Sequence, residues 1–158
     1  MSAPGQSSES VSVRLCSFQV GEETYVVDIM RIQEIVNPLP VTALRSGSEV
    51  IEGVIDLRGQ VVPLVDLRRQ LGLSPSVASH ARKQMIVNVG GKLVAFLVDA
   101  MGRVIEVSRD EIQRTESVEG SAAAELFPGA LRHKGTLYLL LDLQAVMERG
   151  GVSEGDLP

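Results

Sequence analysis

A glycine turn lies between two short runs of β-branched residues, at 54–55 and 61–62, and limits the folds open to this chain. β-branched side chains favour strands, and Gly59 can adopt the positive φ that a tight turn needs, so the segment predicts a β-hairpin. Arg58 would then sit at the tip of the hairpin with its side chain in solvent. Pro63 has no N–H to donate, which predicts that the second strand lies at a sheet edge or a bulge.

Composition and charge narrow the fold and the partners. Of 158 residues, 44% are hydrophobic but only 3% are aromatic, and Trp is absent, so a core must be built from Val, Ile and Leu. Such a composition favours strands, and the length suits one domain or two small subdomains that share a core. The net charge of −5 argues against a nucleic-acid partner, because proteins that bind a phosphate backbone present a basic face.

Cysteine content and hydropathy set further limits. Cys16 is the single cysteine, which excludes an intrachain disulfide and any multi-cysteine metal site, and its place in an apolar strand favours a packing role. No apolar run approaches the length of a transmembrane helix, and the polar N-terminus lacks the hydrophobic region of a signal peptide. We therefore expect a cytoplasmic protein.

The predicted elements are mostly strands. Apolar alternation predicts a strand from Val11 that changes parity near Ser17, as at a β-bulge. In 28–36, apolar residues recur at helical spacing and predict a short helical turn, although a kinked strand also fits; Glu34 lies off the apolar face and should be exposed. Further strands are predicted over 24–29, 84–89, 92–98, 103–107, 127–131 and 136–141.

The chain divides at a segment rich in Gly, Ser and Pro, which we interpret as a linker within one domain that covers 11–149. The C-terminal helix of that domain would be capped by Asp142. The expected segments are a disordered tail (1–10), a first subdomain (about 11–71), the linker (72–83), a second subdomain (about 84–141), the helix (142–149) and a polar tail (150–158).

An internal repeat relates the two halves. Two stretches of similar sequence occur in the same order on either side of the linker. We therefore favour a duplication over a chance resemblance between apolar strands. Duplication predicts two small barrels of like topology with a groove between them. The matching positions are Gly53 with Gly129, Gly59 with Gly135 and Asp66 with Asp142, and the matching segments are 27–30 and 98–101.

Catalytic and metal-binding motifs are missing from the sequence. His80 and His133 have no partnering cysteine, and there is no P-loop, His-Glu-x-x-His or Gly-x-Ser-x-Gly. Aspartates at predicted strand ends suit caps of turns and helices better than the paired carboxylates of a hydrolase or a metal site. The residues therefore indicate an all-β pair of barrels that acts as an interaction module, with no cofactor. The aspartates are Asp56, Asp66, Asp99 and Asp142.

Three segments resemble the CheW-like family of chemotaxis adaptors. Residues 53–67 read Gly-Val-Ile-Asp-Leu-Arg-Gly-Gln-Val-Val-Pro-Leu-Val-Asp-Leu and are similar to the central signature of that family. Residues 23–36 are similar to its Tyr-x-(Ile/Val)-x-Ile-x-x-Val-x-Glu-Ile segment, and residues 96–105 to its Val-Asp-x-Val-x-x-Val stretch. The resemblance extends over most of the chain, from about Val11 to Met147.

The resemblance implies two SH3-like five-stranded β-barrels in tandem, without catalytic activity. Proteins of this family couple the cytoplasmic tip of methyl-accepting chemotaxis receptors to the regulatory domain of a CheA-type histidine kinase, in arrays that control bacterial motility. The helical hairpin of the receptor lies in the groove between the barrels. The family pattern does not identify kinase-binding residues here. The matching receptor-binding positions are Ile32, Glu34, Gly53 and Arg58, with Val98 and Val104 as weaker candidates for the groove wall.

Two departures from the family pattern concern the partner rather than the fold. Residues 44–47 read Leu-Arg-Ser-Gly where the family places prolines, and Asp56 replaces a common Asn. Without the resemblance, Arg58 and Glu34 read as ordinary solvated surface residues. The alternative function is a small-barrel nucleic-acid-binding protein, which would need stacking aromatics and a basic face that this chain lacks.

Overall fold

The computed structural model describes residues 11–44, 49–74, 79–115 and 125–149, where twelve strands form two six-stranded sheets. The first sheet contains, in spatial order, β10 (Gln113–Arg114), β11 (Gly129–His133), β12 (Thr136–Leu140), β2 (Glu23–Asp28), β1 (Ser12–Val20) and β9 (Ala100–Ser108). The second contains β3 (Ile32–Val36), β7 (Lys83–Val89), β8 (Lys92–Val98), β6 (Gln60–Asp66), β5 (Ile51–Leu57) and β4 (Thr42–Ala43). The helical elements are α1 (Leu67–Gln70), α2 (Leu143–Arg149) and the 3₁₀ turns Ile29–Arg31 and Arg109–Glu111.

The all-β prediction is confirmed, since each sheet has five strands of five to nine residues and a two-residue strand at one edge. Each sheet takes strands from both sides of the predicted linker, because the β1–β2 hairpin joins β9–β12 and the β7–β8 hairpin joins β3–β6. The subdomain boundaries at 11–71 and 84–141 stay a prediction, but they do not separate the two sheets. The predicted tails and the linker positions 75–78 lie outside the described residues.

The predicted repeat is present in the topology. Exchanging β1–β6 with β7–β12 converts the strand order of one sheet into that of the other. The parallel pairings occupy matching places, with Leu64 beside Ala95 and Leu140 beside Val26. Val26 is therefore the structural equivalent of Ala95. The sequence similarity between 27–30 and 98–101 is offset by two residues from this equivalence.

Three apolar clusters hold the sheets together. One contains residues of the second sheet, among them Ile55, Val62 and Leu64. Another contains residues of the first sheet, including Leu131 and Tyr138, which the repeat places at the positions of Ile55 and Val62. The largest cluster draws on both sheets and both helices, so the two halves share one core, as the length suggested. Its fully buried members include Phe18, Phe96, Val65, Leu67 and Val146.

The helical turn predicted over 28–36 is confirmed only at its start. Asp28 accepts a hydrogen bond from the Met30 N–H at 2.9 Å and caps a single 3₁₀ turn. Ile32 to Val36 then form β3, which pairs with β7. Burial alternates along this strand, with Ile32, Glu34 and Val36 half-buried, as the kinked-strand alternative allowed. Pairing with an existing sheet edge outweighs the helical spacing of the apolar residues.

The two other local expectations have different outcomes. The bulge near Ser17 is confirmed by a register shift between Cys16 and Phe18 in the pairing of β1 with β9. The edge position of Pro63 is wrong, because β6 lies between β5 and β8. The alternative, a bulge, is found next to it, where the register of β5 with β6 shifts between Ile51 and Gly53. The pairing of β6 with β8 begins at Leu64, one residue after the proline, so the missing N–H falls outside that ladder.

Candidate functional site

The tip of the β5–β6 hairpin contacts the edge strand β3. The Arg58 guanidinium donates two hydrogen bonds to the Glu34 carboxylate, with an Nη1–Oε2 distance of 3.1 Å and a second contact from Nη2 to Oε1. The two residues are 24 positions apart in the sequence. The Arg58 side chain is 68% exposed, but it covers Glu34, which is only 27% exposed. The sequence predicted an exposed Glu34 and did not predict this ion pair.

The turn holds Arg58 in place through local hydrogen bonding. Arg58 and Gly59 both have positive φ, 50° and 89°, as in a type I′ hairpin turn. The Asp56 carboxylate accepts a hydrogen bond from the Gly59 N–H at 2.6 Å and closes the turn. The hydrogen bonds from Arg58 lower the pKa of Glu34, so this carboxylate stays ionised at neutral pH. The result is a fixed, fork-like pair of charges at an exposed corner of the second sheet.

The apolar surroundings of the ion pair are partly exposed. Ile35 follows Glu34 in β3 and is 41% exposed, whereas Ile32 is half-buried and packs against the shared core. Gly53 is buried in β5, and a Cβ at this position would lie 2.3 Å from the Thr42 carbonyl oxygen. Gly53 is therefore needed for the close approach of β4 to β5, which is a structural role.

The two valines proposed for the groove wall lie in different environments. Val98 is 1% exposed and belongs to the shared core, so its side chain offers no surface to a partner of the folded protein. Val104 lies on the edge strand β9 of the first sheet and is 44% exposed. Of the six candidate residues, the structure thus brings Glu34 and Arg58 into contact, with Ile32 on the same strand as Glu34.

The strand-end aspartates act as hydrogen-bond acceptors for the backbone. Asp66 accepts from the Arg68 N–H at 3.0 Å, and Asp142 accepts from the first turn of α2. Burial raises the pKa of Asp66. Asp99 accepts from the Gly21 N–H at 2.7 Å and from Arg68 Nη1 at 2.6 Å, a link between the two sheets that the sequence did not reveal. Each carboxylate has a structural partner, which supports the capping interpretation.

Within the described ranges, no group of three or more His, Cys, Asp or Glu side chains could hold a metal ion. In the same part of the chain, no helix combines the length and apolar character needed to cross a membrane.

Comparisons with known proteins agree with the fold and with the resemblance. The family model described as CheW-like domain matches residues 14–150. The probable chemotaxis protein CheW of Rhizobium etli is 30% identical over 132 residues, which cover 84% of this chain and 85% of that protein. The chemotaxis protein CheW of Treponema pallidum is also 30% identical over 132 residues, with 81% and 77% covered.

A solved structure extends the agreement to three dimensions. The scaffolding protein TtCheW from Thermoanaerobacter tengcongensis superposes with a TM-score of 0.82 at 26% identity, and the match covers 94% of this chain and 100% of that one. The two sheets therefore correspond to the two SH3-like subdomains of this fold, and a nucleic-acid-binding function is not favoured. The chain belongs to the CheW-like family and is a chemotaxis coupling adaptor.

Proposed function

We propose that this adaptor acts without catalysis, by binding the cytoplasmic tip of a methyl-accepting chemotaxis receptor and the regulatory domain of a CheA-type histidine kinase. Binding would recruit it to receptor–kinase arrays in the cytoplasm. The proposal is supported by family membership and by the absence of catalytic motifs in the sequence.

The receptor contact is proposed at the Arg58–Glu34 ion pair. The observation that carries this is the position of the pair, which is preformed at an exposed corner of the second sheet beside the exposed Ile35. A helical hairpin is typically recognised by apolar side chains together with a few fixed polar groups. Ile35 and the accessible edge of Ile32 would supply apolar contacts, and the ion pair would fix the orientation of the bound hairpin. Val104 belongs to this contact only if the receptor also reaches the first sheet.

The experiment is calorimetric titration of the purified protein with a receptor cytoplasmic fragment and, separately, with a kinase regulatory domain. Arg58→Glu places two carboxylates next to each other at the corner, so we expect the heat of receptor binding to be lost. The matched control is Arg132→Glu, because Arg132 is exposed on β11 and undergoes the same charge change. Receptor binding that survives Arg58→Glu would place the contact elsewhere.

Exchanging the two charges distinguishes recognition of the ion pair by the receptor from a purely structural effect on the hairpin tip. The double variant Glu34→Arg with Arg58→Glu restores an ion pair at the corner but reverses its orientation. If the receptor recognises each charge, binding stays weak in the double variant. If the pair only stiffens the hairpin tip, the double variant regains binding, and the proposed role in recognition is wrong. If titration with neither partner gives a heat of binding, the coupling function itself is wrong.

A further inference from the structure

The first sheet has its own counterpart of this corner, an open cleft of about 810 Å³ between β9 and the tip of the β11–β12 hairpin. We call it the β9 cleft and define it by Arg103, Ile105, Glu106, His133, Lys134 and Tyr138. Lys134 occupies the turn position of Arg58, with a φ of 49° beside Gly135 at 83°. The two hairpin tips therefore present a cation from the same backbone geometry.

Strand pairing identifies the residue that faces Lys134 at the position of Glu34. Glu34 pairs with Ile86, and Ile86 pairs with Ala95, the equivalent of Val26. Val26 pairs with Ser17, and the Ser17 hydroxyl accepts a hydrogen bond from the Arg103 N–H at 2.8 Å. Arg103 is therefore the equivalent of Glu34.

The residues that follow support this equivalence. Ile35 and Val104 come next in their strands and are 41% and 44% exposed. Val36 and Ile105 follow them, and each packs in the apolar cluster of its own sheet. A register shift interrupts the pairing at the same place in both strands. The two corners thus share their backbone, and at the position that faces the turn cation an arginine replaces the glutamate.

Among the described residues, the replacement leaves the two cations of the β9 cleft without an ion-pair partner. In the described part of the chain, neither Arg103 nor Lys134 takes part in an ion pair, whereas Arg58 at the other corner is satisfied by Glu34. Both cations are attached to a defined backbone, Lys134 through its turn and Arg103 through the bond to Ser17. An external anion would therefore meet two cationic side chains that extend from a fixed backbone.

We propose that the β9 cleft binds an acidic segment of a partner protein, whose carboxylate takes the place that Glu34 has at the other corner. Glu106 lines the same cleft, so two cations are set against one carboxylate. That balance favours a singly charged carboxylate over a doubly charged phosphate. Val104 lines the cleft and is 44% exposed, so the methylene groups of a glutamate can pack against it, whereas Ile105 and Tyr138 line the cleft but are largely buried. The inference is independent of the proposed receptor contact, which lies in the other sheet.

The test is a titration of the isotope-labelled full-length protein, monitored by amide NMR shifts, with the capped peptide Gly-Ser-Glu-Ser-Gly to millimolar concentration. The matched control peptide is Gly-Ser-Gln-Ser-Gly. We expect saturable shifts at residues 133–136 and 103–106 with the glutamate peptide only. Arg103→Glu should form an internal pair with Lys134 and weaken binding about tenfold, the factor that 1.4 kcal/mol represents. Lys134→Gln should also weaken binding, while Arg132→Gln should not.

Each outcome decides the inference. No shifts with the glutamate peptide, or equal shifts with the glutamine peptide, would overturn it. The same holds if Arg103→Glu and Lys134→Gln bind normally, or if Arg132→Gln weakens binding equally. Inorganic phosphate that displaces the peptide and binds more tightly would reassign the cleft to small anions, contrary to the proposal. A loss confined to the two cleft variants would support it.

Discussion

Val98 and Val104 offer a direct test of how the fold divides core from surface. Both are strand valines, so replacement by alanine changes β-propensity in the same way. Val98 is 1% exposed in the shared core and Val104 is 44% exposed. Val98→Ala removes two buried methyl groups, at about 0.8 kcal/mol each, and leaves a cavity, so we expect a loss of about 2–3 kcal/mol in the free energy of unfolding.

Val104→Ala serves as the matched control, with an expected loss below about 0.5 kcal/mol. The measurement is urea denaturation followed by far-ultraviolet circular dichroism, with the midpoint and the slope fitted separately. Where both variants are fully folded, binding of a receptor fragment should be unchanged by Val98→Ala. Equal losses for the two variants, or a loss for Val98→Ala below 0.5 kcal/mol, would refute the assignment of Val98 to the core.

Three further predictions concern packing and ionisation. Gly53→Ala should lower the free energy of unfolding by about 1–3 kcal/mol, measured by urea denaturation, because its Cβ would meet the Thr42 carbonyl oxygen. Burial raises the pKa of Asp66, so ionisation of this carboxyl opposes folding. Asn can still cap α1, so Asp66→Asn should raise the denaturation midpoint at pH 7 but not below pH 3.8, where the carboxyl is protonated in both states. In the parent protein the pKa of Glu34 is lowered, so the stability that this carboxylate contributes is lost as the pH falls through its pKa. In Arg58→Ala, carbon NMR should show the Glu34 pKa rising towards 4.5.

Opposite results would contradict these predictions in different ways. An unchanged midpoint in Gly53→Ala would mean that β4 moves away without cost. A lower midpoint for Asp66→Asn at pH 7 would show that the hydrogen bonds of the ionised cap outweigh its burial. If the pKa of Glu34 is the same in Arg58→Ala as in the parent protein, the ion pair does not persist in solution.

Local chemistry made much of the fold predictable from the sequence. The glycine turns at 58–59 and 134–135, the bulge near Ser17 and the cap of α2 by Asp142 all depend on residues within a few positions of each other. The helical turn over 28–36 was mostly wrong for the complementary reason. Its outcome depends on whether a distant strand edge is available, and β7 provides that edge.

The candidate site was predictable only as a set of positions. The resemblance selected Glu34 and Arg58, but it did not indicate that one neutralises the other. It also selected Gly53, whose role is to admit β4, and Val98, which is buried. The opposite case is Arg103, which the sequence analysis passed over because only strand pairing reveals it as the counterpart of Glu34.

The sequence is enough to derive short, β-branched strands with tight glycine turns in two repeats, and it contains no catalytic motif. Those properties follow from backbone preferences and periodicity, which act over a few residues. Long-range packing is needed to show that the two hairpins exchange sheets, that one core is shared, and that one corner is neutralised while the other is cationic. These depend on contacts between residues far apart in the chain, which no local pattern records.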